Sequence, residues 1–167
     1  MPDLLTLMEL EANARAVLEQ VMTAGIAGAS ALVAKQLLCP HDEDYEKAFL
    51  PEMADVLQRA YAPFWATSQM APRPKAGQTQ VLIYLATTED LQANNARARQ
   101  FPGGYKEVAP YLAADRLWVR WKFVKPGETL GMAFDGMVWL DDHWAWFPKP
   151  WRAVRMAQTL PPSIPEA

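Results

Sequence analysis

Asp135, Asp141, Asp142 and His143 lie close together in the stretch DGMVWLDDHWAWFPKPWR (135–152), which also holds four of the chain's seven tryptophans. Carboxylates and an imidazole are the groups that move protons near neutral pH or bind metal ions. Asp135 is the first of them to consider. Followed by Gly136, it fits a tight turn, in which an aspartate bonds its own backbone, or a glycine bulge within one long strand over about 129–140. The bulge is preferred, because it lets that strand match its neighbours in length. Bulges re-aim side chains, and an acid turned into an aromatic cavity has a raised pKa suited to general acid or base work. Tyr84, Trp121, Phe134, Trp139, Trp144 and Trp146 are the available walls.

Asp141 and Asp142 read as a two-residue hairpin connection into HWAWF. Adjacent residues in a tight hairpin point to different faces, so Asp141, Asp142 and His143 would be poor joint ligands and read as a solvated corner. His143 remains, beside Asp135, a candidate acid or base. The other histidine, His41, lies about a hundred residues away, and no Cys or His cluster has metal spacing. No metal and no cofactor are therefore expected. Cys39 is the single cysteine, in the acidic loop CPHDED. Nearby acids raise a thiol pKa, which argues against a thiolate nucleophile. There is no phosphate-cradling glycine loop and no nucleophile-elbow serine.

The tryptophans have two uses. Trp144 and Trp146 are two apart on one strand, and Trp139 lies across the hairpin, so cross-strand packing accounts for them. Stacking a ligand or partner is the alternative, with Tyr84, Trp121 and Trp139 as candidates. Lys149, Trp151 and Arg152, in PKPWR, read as a rigid extended end that docks a partner or packs back on its own domain. A nucleic-acid partner is not expected, since the net charge is −3 and no long basic stripe is present. The charge is uneven. Residues 1–62 hold ten acids and four bases, and residues 63–167 hold nine acids and twelve bases. Two layers with complementary surfaces explain this. A C-terminal basic surface for an anionic ligand or acidic partner is the sharper reading.

These residues need a scaffold, and 167 residues with 51% hydrophobic and 21% charged side chains suffice for one packed domain. That domain is expected over 1–157, with a loose tail over 158–167. A helix is predicted over about 3–23, with Asp3 as N-cap and a stripe of Leu4, Met8, Ala12, Leu18 and Val21. A short helix over 29–38 and a helical region over 43–62, kinked or restarted at Pro51, follow. VLIYLA (81–86) reads as a strand covered on both faces or central in its sheet. Thr87 or Thr88 caps a polar helix over about 89–100, and YKEVAPYLA follows as a short helix or irregular turn. RLWVRWKFV alternates, with Trp118 as the exception, so one face is buried and one wet. It opens a three-stranded meander whose last segment, 143–151, ends at Pro148 and Pro150. The N-terminus has no basic region before an apolar run, and AGIAGASALVAKQLL is too short and too weakly apolar for a span. The expectation is a cytoplasmic protein with no membrane partner.

Helices, a strand, a helix and then a three-stranded meander is an order that resembles the ketosteroid-isomerase-like superfamily, also called the nuclear-transport-factor-2-like or cystatin-like α+β cone. GMVWLDDHWAWFPKPW is similar to that superfamily's terminal hairpin. The resemblance is one of pattern and carries over no catalytic residue. It implies an α+β fold with N-terminal helices packed on a curved, mainly antiparallel sheet. It also implies one of several activities, because the superfamily includes isomerases, dehydratases, polyketide cyclases, binding modules and many uncharacterised bacterial proteins. Two functions follow as expectations. One is a non-catalytic module that binds a protein partner, a second copy of itself as a homodimer, or an apolar small molecule. The other is an isomerase-like or dehydratase-like enzyme using Asp135 or His143. A dry pocket containing the Asp135 carboxylate would favour the enzyme, and a filled interior with an exposed apolar sheet face would favour the module.

Overall fold

Prolines, glycines and capping residues set most of the element boundaries. The computed structural model describes residues 4–159, with the side chains of Leu4, Leu5 and Thr159 excepted. The expected Asp3 cap and most of the expected tail lie outside these residues. The fold is α+β. α1 (Leu4–Ile26) and α2 (Ser30–Leu38) are separated at Gly28, whose φ is +79°. α3 (Asp44–Ala48) stops before Pro51, which opens α4 (Pro51–Trp65) as its first residue. The region is therefore restarted at Pro51, not bent there. The buried stripe of α1 is Leu7, Ala14, Leu18, Val21 and Met22. Met8 is 59% exposed and Ala12 is exposed, so among the described positions the expected stripe holds only at Leu18 and Val21.

Four strands form one antiparallel sheet in the order β1-β2-β3-β4: β1 (Gln80–Thr87), β2 (Leu117–Val124), β3 (Gly131–Trp139) and β4 (Trp144–Trp146). β1 is an edge strand, not a central one, and its middle residues are only half-buried. Its continuous apolar run reflects partial cover rather than a central position. Arg15 of α1 donates to the Val81 carbonyl at 2.6 Å.

Thr87 is the N-cap of α5 (Thr88–Ala93) in a complete capping box with Asp90. The helix expected over 89–100 stops early, because Asn94 takes a left-handed conformation and Asn95 Oδ1 accepts the Arg97 and Ala98 N–H groups ahead of a separate 3-10 turn at Ala98–Gln100. α6 (Tyr105–Val108) and a second 3-10 turn lead into β2. α7 (Pro150–Thr159) closes the described chain. It corrects one expectation: Pro148 and Pro150 do not leave an extended end. Pro150 occupies the first helical position, where its missing N–H costs nothing.

Asp90 also gives a pH prediction. Desolvation pushes its pKa up, but hydrogen bonds from the Thr87 backbone, the Asn95 amide and the Thr87 hydroxyl, with the Arg97 charge, outweigh that and lower it. A lowered folded pKa contributes stability above the unfolded value, about 3.9, and loses it as pH falls through the folded value. Asp90→Asn should therefore cost about 1 kcal/mol at neutral pH. The deficit should shrink below about pH 4, as read from urea midpoints at both pH values.

The sheet is covered on both faces. Leu117, Val119, Trp121 and Phe123 point to the side of α1, where Trp144 Nε1 donates to Asn13 at 2.8 Å. On the other face Trp118, Val138 and Ala145 are fully buried. Trp118 packs on Phe49, and its Nε1 donates to Thr88 Oγ1 at 3.1 Å. The face expected to be wet is thus dry over this half, and stays half-exposed only around Leu82, Tyr84, Arg120 and Lys122. That explains why Trp118 breaks the alternation.

Candidate functional site

The bulge lies where Asp135 meets Gly136. Val119 pairs with Met137 and Arg120 with Asp135, so Gly136 is the extra residue in β3. Its φ is +89°. Without it, Asp135 would face α1. With it, Asp135 joins the face of Arg120, while Phe134 turns onto Trp121, with ring centroids 5.5 Å apart.

Asp135 is 5% exposed, and its Oδ1 accepts two hydrogen bonds, from Tyr105 Oη at 2.7 Å and from the Lys149 backbone N–H at 3.0 Å. Burial raises its pKa, and these two bonds with the Lys149 and Arg120 charges offset that only in part. Burial and the Asp135 charge push the Tyr61 and Tyr105 phenols well above their ordinary range. Tyr61 donates to the Pro148 carbonyl at 2.9 Å.

Beside this buried acid lies a cavity of about 320 Å³ between α4, α7 and the β3–β4 end of the sheet. Phe134 and Trp146 form its sheet wall, Tyr61, Phe64 and Met70 its α4 side, and Ala153 and Met156 its α7 side. Lys149 and Arg152 are exposed and stand at its rim. Neither has an ion-pair partner among the described residues. Among the described residues no carboxylate lines the cavity, and the Asp135 carboxylate is not among its walls.

No family model, curated protein or solved structure matches this chain. The site's meaning therefore rests on its own geometry.

That geometry distributes the candidate residues widely. Trp121 is fully buried beneath Phe134 and Trp146, and its Nε1 has no hydrogen-bond partner. Tyr84 lies on the half-exposed face under the cations of Arg120 and Lys122, 5.6 and 5.5 Å from its ring centre. Trp139 packs on Trp144 and lines a separate hollow of about 270 Å³, where Arg116 pairs with Asp141 at 2.8 Å. Trp151 is half-buried in the first turn of α7, against Tyr105. Lys149 precedes that helix with φ +48°, and Arg152 lies within it. The cavity brings together Lys149 and Arg152 with two of the expected aromatic walls, Phe134 and Trp146.

His143 lies at the hairpin end of β3 and β4, apart from this cavity. It is not a solvated corner residue. Its Nε2 is 2.8 Å from Asp44 Oδ2, its Nδ1 is 2.5 Å from Asp142 Oδ1, and its ring stacks on His41 at 4.9 Å. Desolvation, the largest single influence, lowers its pKa, but bonds to Asp142 and Asp44 and their charges together raise it above the ordinary imidazole value. Burial is likewise the largest influence on Cys39 and raises its thiol pKa.

Residues of α4 and α7 were not legible as walls. The α4 side chains follow helical spacing that reads as ordinary core. In α7, buried Ala153, Val154 and Ala157 carry a weak helical pattern that the two prolines mask.

Proposed function

We propose that this is a non-catalytic binding protein for a small apolar molecule bearing a carboxylate. The observation that carries the proposal is the cavity itself, with an aromatic floor, two cations at the rim and no acid among the described residues that line it. The apolar body of the ligand lies on Phe134 and Trp146. Its carboxylate meets Lys149 and Arg152, and a guanidinium suits a carboxylate's planar geometry. The position of Asp135 supports the non-catalytic reading, since Oδ1 is engaged by two donors and the carboxyl lies behind the wall. The proposed relation to the α+β cone superfamily rests on element order alone: helices, a strand, a helix and three strands.

Naphthalene-2-carboxylate and its neutral amide are suitable probes by ligand-observed NMR titration. The acid should bind saturably, and the amide about tenfold more weakly. Arg152→Glu should weaken the acid by about tenfold or more without changing the amide. No saturable binding of the acid, or equal binding by Arg152→Glu, would reject the reading.

A further inference from the structure

Folding brings His143 to His41 and Asp44, a neighbouring pair about a hundred residues earlier in the sequence. His41 and Asp44 flank the start of α3, and His143 enters from the β3–β4 hairpin. One ligand atom from each lies within 4.8 Å of the other two. The closest pair is His143 Nε2 and Asp44 Oδ2 at 2.8 Å, and His41 Nδ1 stands 3.9 Å from the same oxygen.

We propose that His41, Asp44 and His143 form a binding site for a divalent transition-metal ion, with zinc the best match. Two imidazole nitrogens and one carboxylate oxygen are a recurrent protein donor set for zinc, with a fourth position left to water. In a tetrahedral site with bonds of about 2.0–2.2 Å, ligand atoms sit about 3.3–3.6 Å apart. The present spacings bracket that range, so rotation of side chains can meet it. His41 is the ligand that must turn, because the two rings now stack nearly parallel, at 22°. Its side chain is 64% exposed and free to do so.

Two further features point to an ion instead of a plain His–Asp pair. The Asp44 side chain is fully buried, and its second oxygen, Oδ1, has no hydrogen-bond partner among the described residues. A buried carboxylate with an unpartnered oxygen is costly, and a cation bound through Oδ2 would offset its charge. Asp142 supports His143 from behind. Accepting from Nδ1 at 2.5 Å, it leaves the Nε2 lone pair for the metal, the arrangement by which outer carboxylates orient zinc-bound imidazoles. Asp142 is itself exposed, so it can hold the ring without a buried charge of its own. The Asp44 carboxylate also accepts the His41 backbone N–H at 2.8 Å, which fixes the short loop between two of the ligands.

The test is calorimetric titration of tag-free protein with zinc sulfate. One ion per chain is expected. His41→Ala removes an exposed ligand and leaves the core intact, and it should weaken binding at least about tenfold. Asp142→Asn should weaken it by about tenfold, and Cys39→Ser should leave it unchanged. With cobalt in place of zinc, the visible spectrum should show tetrahedral d–d bands and no thiolate charge-transfer band. Absence of saturable zinc binding would overturn the proposal. So would binding that His41→Ala leaves intact, or binding that Cys39→Ser abolishes. These outcomes are independent of the aromatic cavity, which shares none of the three residues.

Discussion

Gly136→Ala should lower the stability of the protein by about 3–5 kcal/mol, among the largest losses from a single methyl group. Two effects add. A φ of +89° is a conformation that side-chain-bearing residues adopt at a cost of about 1–2 kcal/mol. The new Cβ would also lie 2.0 Å from the Phe147 carbonyl oxygen and 2.6 Å from its carbon. Both atoms are backbone, held by the Phe147 N–H bond to the Gly136 carbonyl at 2.8 Å, so neither can swing aside. Gly127→Ala separates the two effects. Its φ is +78°, and nothing lies within 4 Å of the added carbon. That variant should cost only about 1–2 kcal/mol. Urea denaturation of both variants makes the comparison, and equal midpoints would show that the close approach to Phe147 does not matter.

Asp135→Ala should cost about 2–4 kcal/mol, because it strands two buried donors, the Tyr105 hydroxyl and the Lys149 N–H. Asp135→Asn should be close to neutral. An amide oxygen accepts both bonds, and the amide brings no charge to desolvate. The pH dependence has a definite sign. The folded pKa of Asp135 is raised above its unfolded value. Its contribution is therefore fully present below the unfolded value of about 3.9 and is lost as pH rises through the folded pKa. The stability of Asp135→Asn relative to the native protein should thus improve as pH rises through that window. Denaturation midpoints of the pair at acid and neutral pH test this. A constant difference would mean that the carboxyl does not titrate differently on folding.

Much of this fold could be read from short-range chemistry. Asp135–Gly136 was identifiable as a bulge because a turn there would leave strands too short to match β2. Pro51, as a kink or a restart, and Thr87 or Thr88, as a cap, were narrowed in the same local way. The misreadings have physical causes as well. An apolar run such as VLIYLA does not distinguish a central strand from a half-covered edge, because cover comes from α1, far away in sequence. Trp118 is buried by Phe49 and Thr88, and its neighbours in β2 cannot reveal that. Pro148 and Pro150 suggested an extended end because proline ends strands, yet Pro150 is also a favoured first residue of a helix. The His41–His143 stack could not be anticipated, since each histidine sits in a short acidic turn and only the docking of α3 against the hairpin joins them.

The position of α7 has a consequence for how the aromatic cavity is lost. α7 is held by Trp151 against the Gly104–Tyr105 turn and by the ion pair of Arg155 with Glu107, 48 residues away. Just before it, the Tyr61 hydroxyl reaches Pro148 across 87 residues of sequence. Contacts of such range carry a loop-closure entropy that local contacts do not. Partial unfolding in the native state draws first on weakly anchored elements. Hydrogen exchange should accordingly show the amides of α7 opening before those of β2. The cavity, with one wall on that helix, should then be lost with α7 before the sheet opens.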